Sequence, residues 1–111
     1  MARFKYVIMS SAKPGQREEY VRWYRDQHLA DVRRVEGVMS AELYEVGFRK
    51  TYDLEIPEYC LMTMYELECD DPAAKIAEIK AMSGSEEMPS TDAIEKSGML
   101  QAVGSLIRRI D

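Results

Sequence analysis

Four stretches of this chain alternate with period two, and most of them are apolar on both faces. Residues 3–10 set Phe4, Tyr6 and Ile8 against Lys5, Val7 and Met9. Residues 59–69 set Tyr59, Leu61, Thr63, Tyr65 and Leu67 against Cys60, Met62 and Met64, that second face closing in Glu66 and Glu68. Residues 38–47 place Met39, Ala41, Leu43 and Glu45 opposite Val38, Ser40, Glu42, Tyr44 and Val46. Residues 100–110 alternate Leu100, Ala102, Gly104 and Leu106 with Gln101, Val103, Ser105 and Ile107. A strand with apolar side chains on both sides has to be covered twice, so the sheet it joins must lie between two layers.

The remaining segments supply one of those layers. Gln16 to about Glu36 reads as a helix, with Glu18 and Glu19 near its start, Arg33 and Arg34 near its end, and Gly37 as the residue that ends it. Asp70-Asp71-Pro72 opens a second helix over 73–82 that buries Ile76, Ile79 and Met82, and Ser83-Gly84-Ser85 ends it. Residues 48–58 form a long connection, and 86–90 a polar loop. The capping-pair spacing of Asp92 and Glu95 predicts a short helix over 91–96, after which Gly98 releases the last strand. The order β-α-β-β-α-β, with a short extra helix, is that of a ferredoxin-like α+β plait: one domain over residues 1–111, two helices on one face of a four-stranded antiparallel sheet. The opposite face then needs a cover, and a second copy of the chain is the economical one.

The first helix carries the only Trp and the only His. At 100° per residue Tyr20, Val21, Tyr24, His28, Val32 and Val35 share one face, and Asp31 lies at its edge one turn beyond His28. Trp23 falls away from that stripe, near Gln27 and Arg34, a place for a residue packed under a loop or against another subunit. An imidazole among aromatics and a carboxylate is suited to acid–base work. The plainer alternative is a buried His satisfied by tyrosine hydroxyls or backbone.

Composition removes several functions. The net charge of −5 and the lack of any basic run argue against a nucleic-acid partner, while one locally positive pocket could still take an anionic small molecule. No apolar run reaches the roughly 18 residues of a membrane span. The N-terminus enters a strand pattern with no signal-peptide core, so cytoplasm is the expected compartment. Cys60 and Cys69 are nine positions apart, about 30 Å along a strand, and are read as reduced thiols. With a single His they make no zinc set, no phosphate-binding loop or nucleophile elbow is present, and no cofactor or metal is expected.

Trp23-Tyr24 and His28 on the first helix, followed by Glu36-Gly37-Val38, resemble the EthD-like branch of the dimeric α/β-barrel superfamily, whose members commonly show W-Y-x-x-x-H and then Pro-Gly-Val. The order of elements matches over nearly the whole chain. Glu36 in place of Pro, and the length of the 48–58 connection, depart from the pattern. The resemblance implies a homodimer with sheets packed face to face, each subunit keeping a pocket between sheet and helices. It also implies small-molecule chemistry of cyclase, dehydratase, isomerase, lyase or cofactor-independent monooxygenase type, and the superfamily includes haem-degrading enzymes.

In such a pocket His28 would move a proton and Tyr24 would orient it or hydrogen-bond a developing enolate. Asp31 could hold the imidazole tautomer, and Tyr6, Tyr44 and Tyr65 are the sheet-borne candidates for substrate oxygens. Met9, Met39, Met62, Met64 and Met99 could line the pocket or simply fill a small core. The enzyme reading is proton chemistry on an aromatic or polyketide-like compound; the alternative is a dimeric accessory protein that binds such a compound without transforming it.

Overall fold

A computed structural model describes residues 1–111. The elements are β1 (Ala2–Ala12), α1 (Arg17–Trp23), a π-helical turn (Tyr24–His28), α2 (Leu29–Arg33), β2 (Val38–Glu45), β3 (Leu61–Cys69), α3 (Pro72–Met82) and β4 (Ile94–Gly104). The four strands form one antiparallel sheet in the order β2-β3-β1-β4. This is the ferredoxin-like α+β plait, with the helices over one face.

Pairing fixes which side chains meet the helices, because residues opposite each other in an antiparallel ladder share a face. Tyr6 pairs with Tyr65 and Ile8 with Thr63, and all four are buried beneath the helices. Val7 pairs with Met64 and Met9 with Met62 on the other face, which carries no helix. A register shift between Val38 and Ser40 makes Met39 an extra residue and returns Val38 to the helix side, where it is buried against Leu67. Strict alternation had placed Val38 with Ser40 and Glu42. One bulge reverses that.

The helix ends follow their local chemistry. The Asp71 side chain accepts from the backbone N–H of Ala73 and Ala74, with Pro72 at the first helical position. Gly37 adopts φ +93°, and a Cβ there would sit 3.1 Å from the Glu68 carbonyl, so the turn out of α2 suits glycine alone.

Three sequence expectations change. The segment 91–96 is not helical: Lys13 N–H donates to the Ala93 carbonyl, Ala93 is buried, and Ile94 enters the sheet opposite Ala12. Gly98 does not precede the last strand but lies inside it. The ladder between β1 and β4 slips between Met9 and Ser11, Gly98 takes φ +78° at the slip, and a Cβ on it would meet Pro57 Cγ at 2.4 Å. The Tyr59 hydroxyl donates to the Gly98 carbonyl at 2.7 Å, so the end of the 46–60 connection is pinned on this bulge. Finally, β4 stops at Gly104, opposite Lys5, rather than at Ile110.

The loop after α3 is less polar than its sequence implies. Met88 is buried in the main core with Tyr6, Val32, Val35, Tyr65 and Ile79. A second cluster, Tyr20, Tyr24, Cys60, Leu61 and Ala93, closes the other end of the sheet. Both cysteines are buried and free.

Candidate functional site

The first helical segment is not uniformly α-helical, and that decides the site. The Leu29 N–H reaches back five residues to the Tyr24 carbonyl, which widens the helix by one residue per turn. In an α-helix, residues five apart point about 140° away from one another. In a turn closed by a five-residue bond they come round to the same side of the helix. Trp23 and His28 therefore stack, with ring centroids 4.3 Å apart and planes at 15°. Trp23 is half-buried rather than turned outward, and its indole N–H donates to the Pro89 carbonyl at 3.1 Å. It lies under the loop that follows α3, one of the two places the sequence allowed.

The aromatic cluster continues from this stack. The Tyr24 ring meets His28 edge-on at 4.9 Å, and its hydroxyl lies 3.1 Å from that of Tyr65. Tyr65 packs beside Tyr6 at 5.9 Å, and the Tyr6 hydroxyl donates to Gln101 Oε1 at 2.8 Å. Tyr20 is spent inside the core, its hydroxyl donating to Ser10 Oγ at 2.8 Å. Four of the sequence candidates, His28, Tyr24, Tyr65 and Tyr6, thus form one wall.

Two candidates do not join them. Asp31 is 5 % exposed, yet its carboxylate accepts from Arg34 and from Gln27 rather than from the imidazole; it borders a separate hollow of about 380 Å³ with Glu86 and Glu87. Tyr44 pairs with Met62 on the helix-free face and donates to Glu42 at 2.8 Å. Met9, Met62 and Met64 also lie on that face, leaving Met99 as the strand methionine in the cleft.

The wall borders a cleft of about 1120 Å³ between the helices and the β1/β4 side of the sheet. Burial keeps it uncharged. It drives the His28 pKa down to about 4, opposed by the nearby Asp31 charge, so the imidazole is neutral at pH 7. Burial also pushes the Tyr6 phenol up to about 12 and raises Tyr24 and Tyr65. Three buried side-chain polar atoms have no hydrogen-bond partner: His28 Nδ1, Thr63 Oγ1 and Ser85 Oγ. Of their residues only His28 lines the cleft. Gln101 and Trp23 are the wall residues that sequence reasoning left out of the site. Nothing marks Gln101 in an alternating strand, whereas Trp23 stands five residues before His28, a spacing visible only once a π-turn is admitted.

No group of three His, Cys, Asp or Glu side chains is arranged to hold a metal ion, and no helix is long and apolar enough to cross a membrane.

No protein-family model matches the chain, and no curated protein matches it. A solved structure does. An EthD family protein from Bacillus halodurans C-125 superposes with a TM-score of 0.56, over 95% of this chain and 99% of that one, at 12% identity. The fold is EthD-like. At that identity the likeness is one of fold, and it agrees with the resemblance carried by Trp23-Tyr24, His28 and Gly37-Val38. The EthD-like fold accounts for the element order and for the first helix lying over the sheet; the chemistry rests on the side chains of this chain.

Proposed function

We propose that the chain is a small enzyme using His28 for acid–base chemistry, without a bound cofactor, on an aromatic or polyketide-like compound, in a reaction of cyclase, dehydratase, isomerase or lyase type. The observation that carries this reading is a neutral imidazole lining a cleft of ligand size, its ring edge-on to one of a pair of facing phenols. In the Tyr24–Tyr65 pair one hydroxyl donates to the other, so the accepting phenol keeps a hydrogen to offer to a substrate carbonyl. His28 takes the proton from the adjacent carbon, negative charge gathers on that carbonyl oxygen beside the free phenol hydrogen, and the imidazolium returns the proton at a second carbon. An imidazole with a pKa of about 4 is a weak base in the empty cleft. The enolate it creates raises its basicity as the charge develops, by direct attraction in a dry site.

The same low basicity favours a second reading, in which His28 is only a hydrogen-bond partner for a stored or carried compound. His28→Gln separates the two. It lowers turnover by on the order of 10²–10⁴ if the imidazole is the base, and it leaves affinity within a few fold if the protein only binds.

We also infer a homodimer through the helix-free face. Val7, Met9, Met62, Met64 and Leu100 cluster there, with Leu100 49% exposed in the single chain, while Arg3, Glu66 and Glu68 form an ion-paired margin. Sedimentation of the wild type against Met62→Glu measures this directly: a monomer in both overturns it.

A further inference from the structure

The cleft has two zones of different electrostatic character, and their arrangement restricts the ligand beyond the proposed chemistry, on which this inference rests. The inner wall of Tyr6, Tyr24, Tyr65 and His28 is neutral and offers hydrogen bonds but no counter-ion. An ionised group of a ligand placed against it would lose its hydration without gaining an opposite charge, which hydrogen bonds from phenols do not offset.

The outer lining differs. Lys13, Lys80 and Lys96 all border the cleft, all are exposed, and none makes an ion pair. Arg3, Lys5, Arg17, Arg25, Arg34, Lys75 and Arg109 do. The three lysines come from separate places: the turn after β1, the last turn of α3, and β4. The Lys13 N–H bond to the Ala93 carbonyl ties that turn to the start of β4, so Lys13 and Lys96 share one end of the cleft. Two acids, Asp92 and Glu95, also border it, and Glu95 accepts from the Ser97 N–H at 3.0 Å. In a chain of net charge −5, the charged lining of this one opening still carries more positive groups than negative.

We propose that the ligand is a planar aromatic or conjugated carboxylate, its ring against the neutral wall and its carboxylate at the lysine rim. A neutral compound of the same shape fills the inner zone equally well and gains nothing from the rim. An anion entering carboxylate-first is excluded by the inner wall, so the rim also fixes which end of the ligand reaches His28.

The test uses 4-hydroxybenzoate and its methyl ester as a matched pair, read by quenching of Trp23, the only Trp and part of the cleft wall. The acid is expected to bind a few fold more tightly than the ester at low salt, from the one or two exposed lysines that a single carboxylate can reach at once. Raising the salt, or the combined Lys13→Gln, Lys80→Gln and Lys96→Gln substitutions, removes most of that preference, while ester affinity reports that the cleft is intact. Equal binding of acid and ester overturns the inference and leaves the small-molecule site standing. An acid preference that survives the triple substitution overturns it as well, by assigning the selectivity elsewhere. If neither compound binds, the small-molecule reading fails and this inference fails with it.

Discussion

Replacing Trp23 by Leu tests the origin of His28's neutrality. The drop from 6.5 to about 4 corresponds to about 3 kcal/mol against the charged form. Its cause is exclusion of water from a ring covered on one face by the indole at 4.3 Å and at its edge by Tyr24 at 4.9 Å. Leucine covers the backbone turn but not the imidazole face, so water regains that face while the Tyr24 side stays closed. About half of the penalty should then disappear, moving the midpoint to between about 5 and 5.5. Trp23→Phe keeps a ring on the imidazole and loses only the bond to Pro89, so its midpoint should stay near the wild-type value. One His gives one set of ring signals, and NMR titration of the His28 Cε1–H reads all three proteins. In the wild type, protonation also quenches the stacked Trp23, so fluorescence should report the same midpoint. A wild-type midpoint near 6.5, or an unmoved midpoint in Trp23→Leu, refutes the claim that this stack keeps the base neutral.

The depressed pKa has a stability consequence with a fixed sign. The unfolded chain takes up a proton on His28 below about 6.5 while the folded chain waits until about 4, so stability is fully present above pH 6.5 and falls by up to about 3 kcal/mol as the pH drops towards 4. Urea unfolding across that range measures it, and His28→Gln should remove this component of the slope. Gly98→Ala should cost about 2–4 kcal/mol, from positive φ plus the 2.4 Å approach to Pro57, while Gly15→Ala, with similar φ but open space, should cost only about 1. Equal losses in the two would mean that Pro57 simply moves aside. Asp71→Ala should remove about 1 kcal/mol by uncapping α3, seen as a lower urea midpoint with unchanged slope. Tyr44→Phe should leave cleft binding unaltered because its hydroxyl lies on the other side of the sheet, and a changed affinity for 4-hydroxybenzoate would contradict that placement.

Much of the fold was legible because its strands repeat with period two and its second helix is announced by Asp71-Pro72. What escaped reading depended on contacts between distant segments. Gly98 looks like a strand boundary from its neighbours alone, yet it is a bulge that admits Pro57 from a connection some forty positions earlier in the chain. Asp92 and Glu95 have the spacing of a helix cap, but the Ala93 carbonyl is taken by Lys13 and the segment is drawn into the sheet. Met88 sits among Glu86, Glu87 and Pro89, and its burial follows from the hollow that α3 and the sheet leave open, which no local pattern records.

The site was half legible for a related reason. A 3.6-residue period places Tyr24 and His28 on one face correctly, since residues four apart meet in either kind of helix. It also places Trp23 off that face, and there the periodicity fails, because a single turn closed over five residues rotates everything before it relative to everything after. Such a turn weakens regular helical bonding and persists where surrounding contacts favour it. Here those contacts are the stack on His28, the indole bond to Pro89, and the buried Tyr24 hydroxyl meeting Tyr65. The same three contacts dehydrate the imidazole and face it with phenols. Removing the irregularity at unchanged chain length would swing Trp23 outward, expose one side of His28 to water, and return its pKa towards 6.5. The π-turn is therefore what lets two residues five apart stack. A variant that restores regular helix by deleting one residue between Tyr24 and His28 leaves the two rings four apart, so the stack and the lowered pKa should both persist.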